Sequence, residues 1–574
     1  MRLIINVLNI LKSLNYTGLS YLIFLTVSLS FLEAIGVGAI IPLLTIMLNS
    51  DFLVLVLQKI NDFGIFDFNE NTLLIAFSII FIVFYICKSV FIVHVINKQN
   101  EFVYNLQPVI RNRFFNNYLN QNYETLINVK HADVISNITN IINTFTQGFL
   151  SAFFIAASEL LVLLSILILM FFYNPLFTSV LVISFSIITY FYFKLVSPVL
   201  KNYGAMRTES ENNIISYIKL AIQNIKEIKI FSKELFFLKL FDNKTKISAK
   251  SSVFYNSFQQ YPRVAIEMLL VLCVCVAIIY MAIFNVNKST ALITVGFLAG
   301  AVFRIMPSLN RLIHSYQSIK YSKFVLNIIN EGLNLKVEDR LNKLQGNKLI
   351  NFKNELIIED LSFYYTGNVN KLIFEGANAK FYKNCVIAVT GKSGIGKSTL
   401  IDILLGLLRP KKGKILADGV NIHESILSWY NQCSYVSQNL FFFNDSIKKN
   451  IAFGIDDQNI DNSKINNCIN LSQISNFVNN LANKENTFIG ENGINLSGGE
   501  RQRLAIARSL YRDAKIFLFD EATNALDSEN EIKIFELINK LKSDKIIFLI
   551  SHSKEALNYS DKVVKIQDRK IIFE

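Results

Sequence analysis

Gly391-Lys-Ser-Gly-Ile-Gly-Lys-Ser-Thr399 decides how the second half of this chain folds. The nine residues fit G-x-x-x-x-G-K-[ST], a loop that cradles phosphate groups. The preceding Val386-Ile-Ala-Val-Thr390 is short, apolar and β-branched, so it reads as a buried strand. Residues 400–408 carry helical apolar spacing. Strand, glycine turn and helix start are the context the motif requires. Gly391, Gly394 and Gly396 let backbone N–H groups close around phosphate oxygens, and the helix N-terminus adds positive potential. Lys397 can reach the β- and γ-phosphates, and Ser398 can hold Mg²⁺. A chance glycine turn is the alternative, and the rest of the chain decides against it.

Two further motifs follow. Ile516-Phe-Leu-Phe-Asp520 is an apolar strand ending in Asp520 and Glu521. The carboxyl end of a parallel strand faces the ligand crevice. Asp520 there would hold Mg²⁺, and Glu521 would orient or deprotonate the attacking water. Leu496-Ser-Gly-Gly-Glu500 opens a helix and is a second anion site by the same helix-terminus physics. Two triphosphate sites on one such domain are uneconomical. The Ser497, Gly498 and Gly499 turn is therefore read as closing on the nucleotide of another copy. Leu361-Ser-Phe-Tyr-Tyr365 offers an aromatic that could stack on an adenine, although a strand tyrosine also serves as ordinary packing.

Composition divides the chain. It has 574 residues, 52% of them hydrophobic, and the apolar excess lies before about residue 315. Six stretches approach the ~20 apolar residues a bilayer span needs. They fall at 18–48, with Pro42 as a candidate kink, and at 72–97, 146–172, 175–196, 264–284 and 290–313. The short connections at 49–71, 173–174 and 285–289 hold two Lys or Arg between them, whereas those at 98–145 and 197–263 hold well over ten. The positive-inside rule places the long segments and both termini in the cytoplasm. These segments keep helical periodicity, so the helices extend past the membrane and turn near 120–130 and 210–220. The net charge of +13 then reflects cytoplasmic loops, and no nucleic-acid motif appears. The segment at 51–62 is too short to span and reads as an outer interfacial helix or as a broken continuation of the first span. Residues 1–15 read as an interfacial helix and not as a cleaved leader. The six cysteines form no C-x-x-C pair, which argues against metal and disulfide.

Together these motifs resemble the nucleotide-binding domain of ABC transporters, and the preceding spans resemble an ABC exporter half-transporter. In that family's order, Tyr365 matches the adenine-stacking residue. Gly391 to Thr399, with Ser393, match the Walker A loop, and Gln438 in Tyr435-Val-Ser-Gln matches the Q-loop, a further contact to Mg²⁺. Ser497, Gly498 and Gly499 match the signature, Asp520 and Glu521 the Walker B pair, Asn524-Ala-Leu-Asp527 the D-loop and His552 the switch histidine. The resemblance implies six transmembrane helices fused to a cytoplasmic α/β P-loop ATPase domain, with ATP and Mg²⁺. The expected divisions are 1–320 for the membrane domain, 321–353 for a linker and 354–574 for the ATPase domain. Glu500 stands where the family more often has Gln.

The cargo must be read from the membrane half. Ionisable residues inside a span are costly and tend to carry function. Here they are Glu33, Lys88, Glu159, Arg263, Glu267, Arg304 and Arg311. Arg304 and Arg311 are seven apart, on one helical face. The cations suit an anionic cargo, above all a phosphate that Arg grips with two N–H groups, unless the glutamates pair with them structurally. Phe303-Arg-Ile-Met-Pro-Ser-Leu-Asn-Arg311 resembles the sixth span of bacterial lipid-linked oligosaccharide flippases, and Tyr261-Pro-Arg-Val resembles their fifth-span entry. That resemblance implies pyrophosphate contacts for Arg263, Arg304 and Arg311, with Lys88 where the family can have Arg. It implies a homodimer in the bacterial inner membrane that flips a lipid-linked glycan among membrane lipids, with no nucleic-acid partner. Export of another lipid or a peptide is the alternative.

Overall fold

A computed structural model of the chain describes residues 10–12, 14, 17–48, 52–54, 57–58, 69–284, 288–335, 350–366, 372–523, 528–551 and 553–574. It divides into two compact units. One is Met1–Leu119 with Val129–Lys336; the other is Asn120–Asn128 with Val337–Glu574.

The first unit is helical. Its main helices are α1 Leu19–Gly38, α2 Ile40–Leu48, α3 Glu70–Leu119, α4 Ser151–Tyr173, α5 Pro175–Gln223, α6 Glu234–Ile283, α7 Lys288–Tyr321 and α8 Val325–Leu333. Among the described residues, five helical stretches are long and apolar enough to cross a membrane: Leu19–Leu48, Asn71–Leu119, Ala132–Tyr173, Glu234–Ile283 and Ala291–Tyr321. Pro175–Ile187, at the expected fourth span, is a shorter apolar stretch within α5. At 1.5 Å per residue the 50 residues of α3 run about 75 Å, well beyond a ~30 Å hydrocarbon core. The outward-facing apolar side chains of these helices, such as Ile80, Ile86 and Val90, are what lipid contact demands.

Several expectations need correction. The break in the first span falls at Ala39, one turn before Pro42. Proline has no N–H to donate to the carbonyl four residues back, so the defect falls one turn before it. The second turning point lies at 224–233, later than the expected 210–220, because α5 continues to Gln223. No Gly or Pro interrupts residues 205–223. The turn itself contains Ser232 at φ 52°. The expected linker at 321–353 begins as structure: Val325, Leu326, Ile329 and Leu333 of α8 bury against Phe114, Phe145 and Phe149. A Cβ on Gly332 would lie 2.2 Å from the Phe114 ring, so only glycine permits this approach. Asn117 Nδ2 donates to the Gly332 carbonyl at 2.9 Å and closes the helix end. Of the outer segment 51–62 only 52–54 and 57–58 are described; both pieces are helical, and Leu53 packs with Ile46 and Leu73. Of residues 1–15 only 10–12 and 14 are described; Ile10 and Leu11 are helical and buried. Two π-helical stretches, Asn137–Ile141 and Thr144–Leu150, lead into α4.

The second unit is α/β. Its strands are β1 Glu355–Phe363, β2 Phe374–Tyr382, β3 Cys385–Thr390, β4 Lys412–Ala417, β5 Val420–Asn421, β6 Cys433–Val436, β7 Ile516–Asp520, β8 Ile546–Ile550, β9 Lys562–Gln567 and β10 Lys570–Phe573. They form an antiparallel sheet in the order β2-β1-β4-β5 and a larger sheet in the order β10-β9-β3-β8-β7-β6. The larger sheet is parallel except where β10 joins β9. Every residue of β7 and β8 is buried, as expected of a parallel sheet covered on both faces. The carboxyl ends of β3 and β7 flank that of β8, so the loops that follow them open on one crevice.

Candidate functional site

The phosphate loop leaves β3 and enters α9 Lys397–Leu404. Gly391 and Gly396 have φ 147° and 118°, a region that L side chains rarely adopt. A Cβ on Gly396 would meet the Ile373 side chain at 2.6 Å. Gly394 has φ 74°, and Ser393 lies on the same turn. Lys397 is 8% exposed, and its Nζ folds back over the loop to the carbonyls of Gly391, at 2.8 Å, and Lys392, at 3.3 Å. The Tyr365 hydroxyl lies 3.3 Å from Thr399 Oγ1, and its ring meets Phe363 edge-on.

Asp520 ends β7, and the Ser398 and Tyr435 hydroxyls lie near enough to favour its charged form. Burial, with Glu521 beside it, raises its carboxyl above the usual range. Asp402, one turn after Ser398 on α9, is pushed up to about 6 by burial and by Asp520. Burial and these carboxylates likewise raise the Tyr435 phenol. Glu521 holds the left-handed φ of 51°, a strained conformation for a non-glycine residue. Its carboxylate accepts from Gln438 Nε2 at 2.7 Å. Ser398, Gln438, Asp520 and Glu521 thus converge at the end of β7. Asp520 and the nearby Asp402 are both disfavoured in their charged form, and that is chemistry that a divalent cation relieves.

Ser497 caps α10 Gly498–Tyr511, and its Oγ accepts from the Glu500 N–H at 3.3 Å. Glu500 Oε2 accepts from the Ser497 N–H at 2.7 Å, completing a capping box. Among the described residues, no hydrogen bond or ion pair joins this turn to the phosphate loop. His552 and Asn524 to Asp527 lie outside the described residues.

Sequence reasoning missed Asp402, Tyr435 and Glu124. Asp402 stands four residues after Ser398, so helical spacing already puts both on one face. Glu124, on the short helix Tyr123–Ile127, accepts from the Thr366 N–H at 2.8 Å and from Lys411 Nζ at 2.9 Å, within the second unit. Burial opposes its charge, but the Thr366 and Lys411 donors outweigh burial and hold its carboxyl below the usual range.

The basic residues of the membrane helices fall into three places. Lys88 and Arg304 meet on Glu33, with Lys88 Nζ at 2.9 Å and Arg304 Nε and Nη2 each at 2.8 Å. Arg311 Nε pairs with Glu159 Oε1 at 2.9 Å. Arg263 is exposed on α6, with no ion pair among the described residues. Glu33 and Glu159 do pair with cations, as one of the two sequence readings has it, whereas Glu267 has no ion pair among the described residues.

The family model described as ABC transporter matches residues 374–524. That described as ABC transporter transmembrane region matches residues 22–306. A protein named ATP-dependent lipid A-core flippase, from Wigglesworthia glossinidia brevipalpis, is 26% identical over 467 residues, covering 81% of this chain and 79% of its own. A protein of the same name from Vibrio parahaemolyticus is 36% identical over 221 residues, 38% of each chain. The solved structure of a bacterial Atm1-family ABC exporter with ATP bound matches with a TM-score of 0.78 at 18% identity, covering 96% of this chain and 94% of that one. At that identity the likeness speaks to the fold alone.

Proposed function

Because this chain belongs to the ABC transporter family, as an ATP-hydrolysing exporter half-transporter, we propose that two copies of it flip a polyprenyl-pyrophosphate-linked oligosaccharide outward across the bacterial inner membrane. The half-transporter architecture already implies a dimer, and the intact signature turn and Glu521 of this chain favour a homodimer. The phosphate loop of one copy, with Lys397 on the β- and γ-phosphates and Tyr365 against the adenine, is closed by Ser497, Gly498 and Gly499 of the other.

Ser398, Gln438 and Asp520 are the residues that would hold Mg²⁺, which neutralises phosphate charge when bound. Glu521 orients the attacking water and accepts its proton, Gln438 fixes the carboxylate, and His552 takes the switch position. Closing the site excludes water and strengthens each of these contacts.

The observation that carries the cargo reading is the cluster of Lys88 and Arg304 on Glu33, in a layer where unpaired charge is costly. Cations kept there suit an anionic head that passes through. Arg311 and Arg263 would extend the path along α7 and α6. The names of the lipid A-core flippase relatives favour a second reading, export of another lipid. A reconstitution assay separates the two. Polyprenyl-pyrophosphate-glycan should be flipped in an ATP-dependent manner and should stimulate ATP hydrolysis. Stimulation by a glycolipid lacking the polyprenyl pyrophosphate, with none by the polyprenyl compound, contradicts the first reading in favour of the second.

A further inference from the structure

Glu33 on α1 binds two cations at once. Its Oε2 accepts from Lys88 Nζ on α3 and from Arg304 Nε on α7, and its Oε1 accepts from Arg304 Nη2. The side chains of Glu33, Lys88 and Arg304 are 3%, 7% and 17% exposed. Lys88 Nζ also lies 4.4 Å from the centre of the Tyr85 ring, whose hydroxyl donates to the Gly36 carbonyl. Arg304 Nη1 donates to Ser308 at 2.7 Å.

The charges do not balance. Two cations share one carboxylate, leaving the cluster at +1 in a low-dielectric layer, where an uncompensated charge is expensive. The pair of Arg311 and Glu159 on the same helix bundle is neutral by comparison. Donors are also left over. A guanidinium has five N–H groups, of which Glu33 and Ser308 take three. Arg304 is the most exposed of the three side chains and Glu33 the least, so the open edge of the cluster is the guanidinium, with the carboxylate behind it.

We propose that Glu33 is a positioning residue that sets the charge of the cargo site. By cancelling one of two cations it leaves a single positive charge, enough to attract a phosphate head and too little to retain it. Its bidentate grip also aims the free edge of Arg304. This inference rests on the proposed polyprenyl-pyrophosphate cargo.

Glu33→Gln keeps the side-chain volume and an acceptor oxygen while raising the cluster to +2. In proteoliposomes, the KM for stimulation of ATP hydrolysis by polyprenyl pyrophosphate should fall about tenfold, and the flipping rate at saturating lipid should fall with it, as release slows. The double variant Glu33→Gln with Lys88→Gln restores +1 and should return KM toward the wild-type value, a rescue that a merely structural role does not produce. Glu33→Asp, which keeps the charge, should stay near wild-type KM even if the glutamine variant fails to assemble. An unchanged or raised KM in Glu33→Gln, an additive loss in the double variant, or a tenfold lower KM in Glu33→Asp overturns the role of Glu33 alone. Absence of any stimulation of the wild-type protein by polyprenyl pyrophosphate overturns the cargo reading and this inference together.

Discussion

Gln438 donates from Nε2 to Oε2 of Glu521 across 2.7 Å, joining the loop after β6 to the loop after β7. Glu521 is held at φ 51°, so its carboxylate is fixed by backbone as well as by this donor. If it accepts the proton of the attacking water, Glu521→Gln should bind ATP normally and hydrolyse it at least ~100-fold more slowly. Single-turnover hydrolysis with a separate nucleotide-binding measurement checks this. Near-normal turnover removes Glu521 from that role.

Glu500 completes the capping box on Ser497. An amide oxygen can accept the same N–H, so Glu500→Gln should leave the melting temperature nearly unchanged. Glu500→Ala leaves a helix-start donor without its partner and should cost about 1 kcal/mol. Thermal unfolding of the two variants side by side gives the comparison, and equal losses would contradict it.

Glu124 lies in a segment, Asn120–Asn128, that belongs to the ATPase unit although membrane helices precede and follow it in the chain. Its contacts to Thr366 and Lys411 are therefore expected to transmit work. Glu124→Ala should retain most ATP hydrolysis while transport per ATP falls severalfold. The Glu124 carboxyl is held below its ordinary value of 4.5, so its contribution is whole above that pH and fades only as pH falls below it. Coupling ratios of wild type and variant should therefore differ equally at pH 6 and pH 8. A difference that vanishes between those values would contradict the ion pair's role.

Trp429 is fully buried, and its Nε1 donates to the Leu404 carbonyl at the end of α9 at 2.9 Å. Trp429→Phe strands that carbonyl and opens a small cavity, for a loss of about 1–3 kcal/mol. Denaturant titration followed by circular dichroism measures it, and a loss under about 0.5 kcal/mol would contradict the assignment.

Much of the ATPase half was legible because its chemistry is local in sequence. A buried strand, a glycine turn and a helix start sit within a few residues; β8 is apolar throughout, and β3 and β7 are apolar up to their last residues, Thr390 and Asp520. The second, antiparallel sheet was not read, since β1 and β2 depend on partners that periodicity does not name. Five of the six expected membrane spans followed from apolar length among the described residues, but the end of α5 did not, because no breaker marks it. Helix α8 was hidden by the mixed charge around it, although Val325, Leu326, Ile329 and Leu333 carry helical spacing. The membrane cations were found as costly charges. Which glutamate Lys88, Arg304 and Arg311 meet depends on α1, α3, α4 and α7 coming together, and no local pattern encodes that.

On the proposed function, the basic residues of the membrane helices carry an anionic lipid head while the ATPase units supply the work. The most direct measurement is ATP-dependent flipping of a fluorescent polyprenyl-pyrophosphate-glycan by reconstituted Arg304→Ala with Arg311→Ala. Flipping should be lost, by at least ~100-fold from two charge-assisted contacts, while basal ATP hydrolysis persists. Flipping at the wild-type rate would contradict the proposed function.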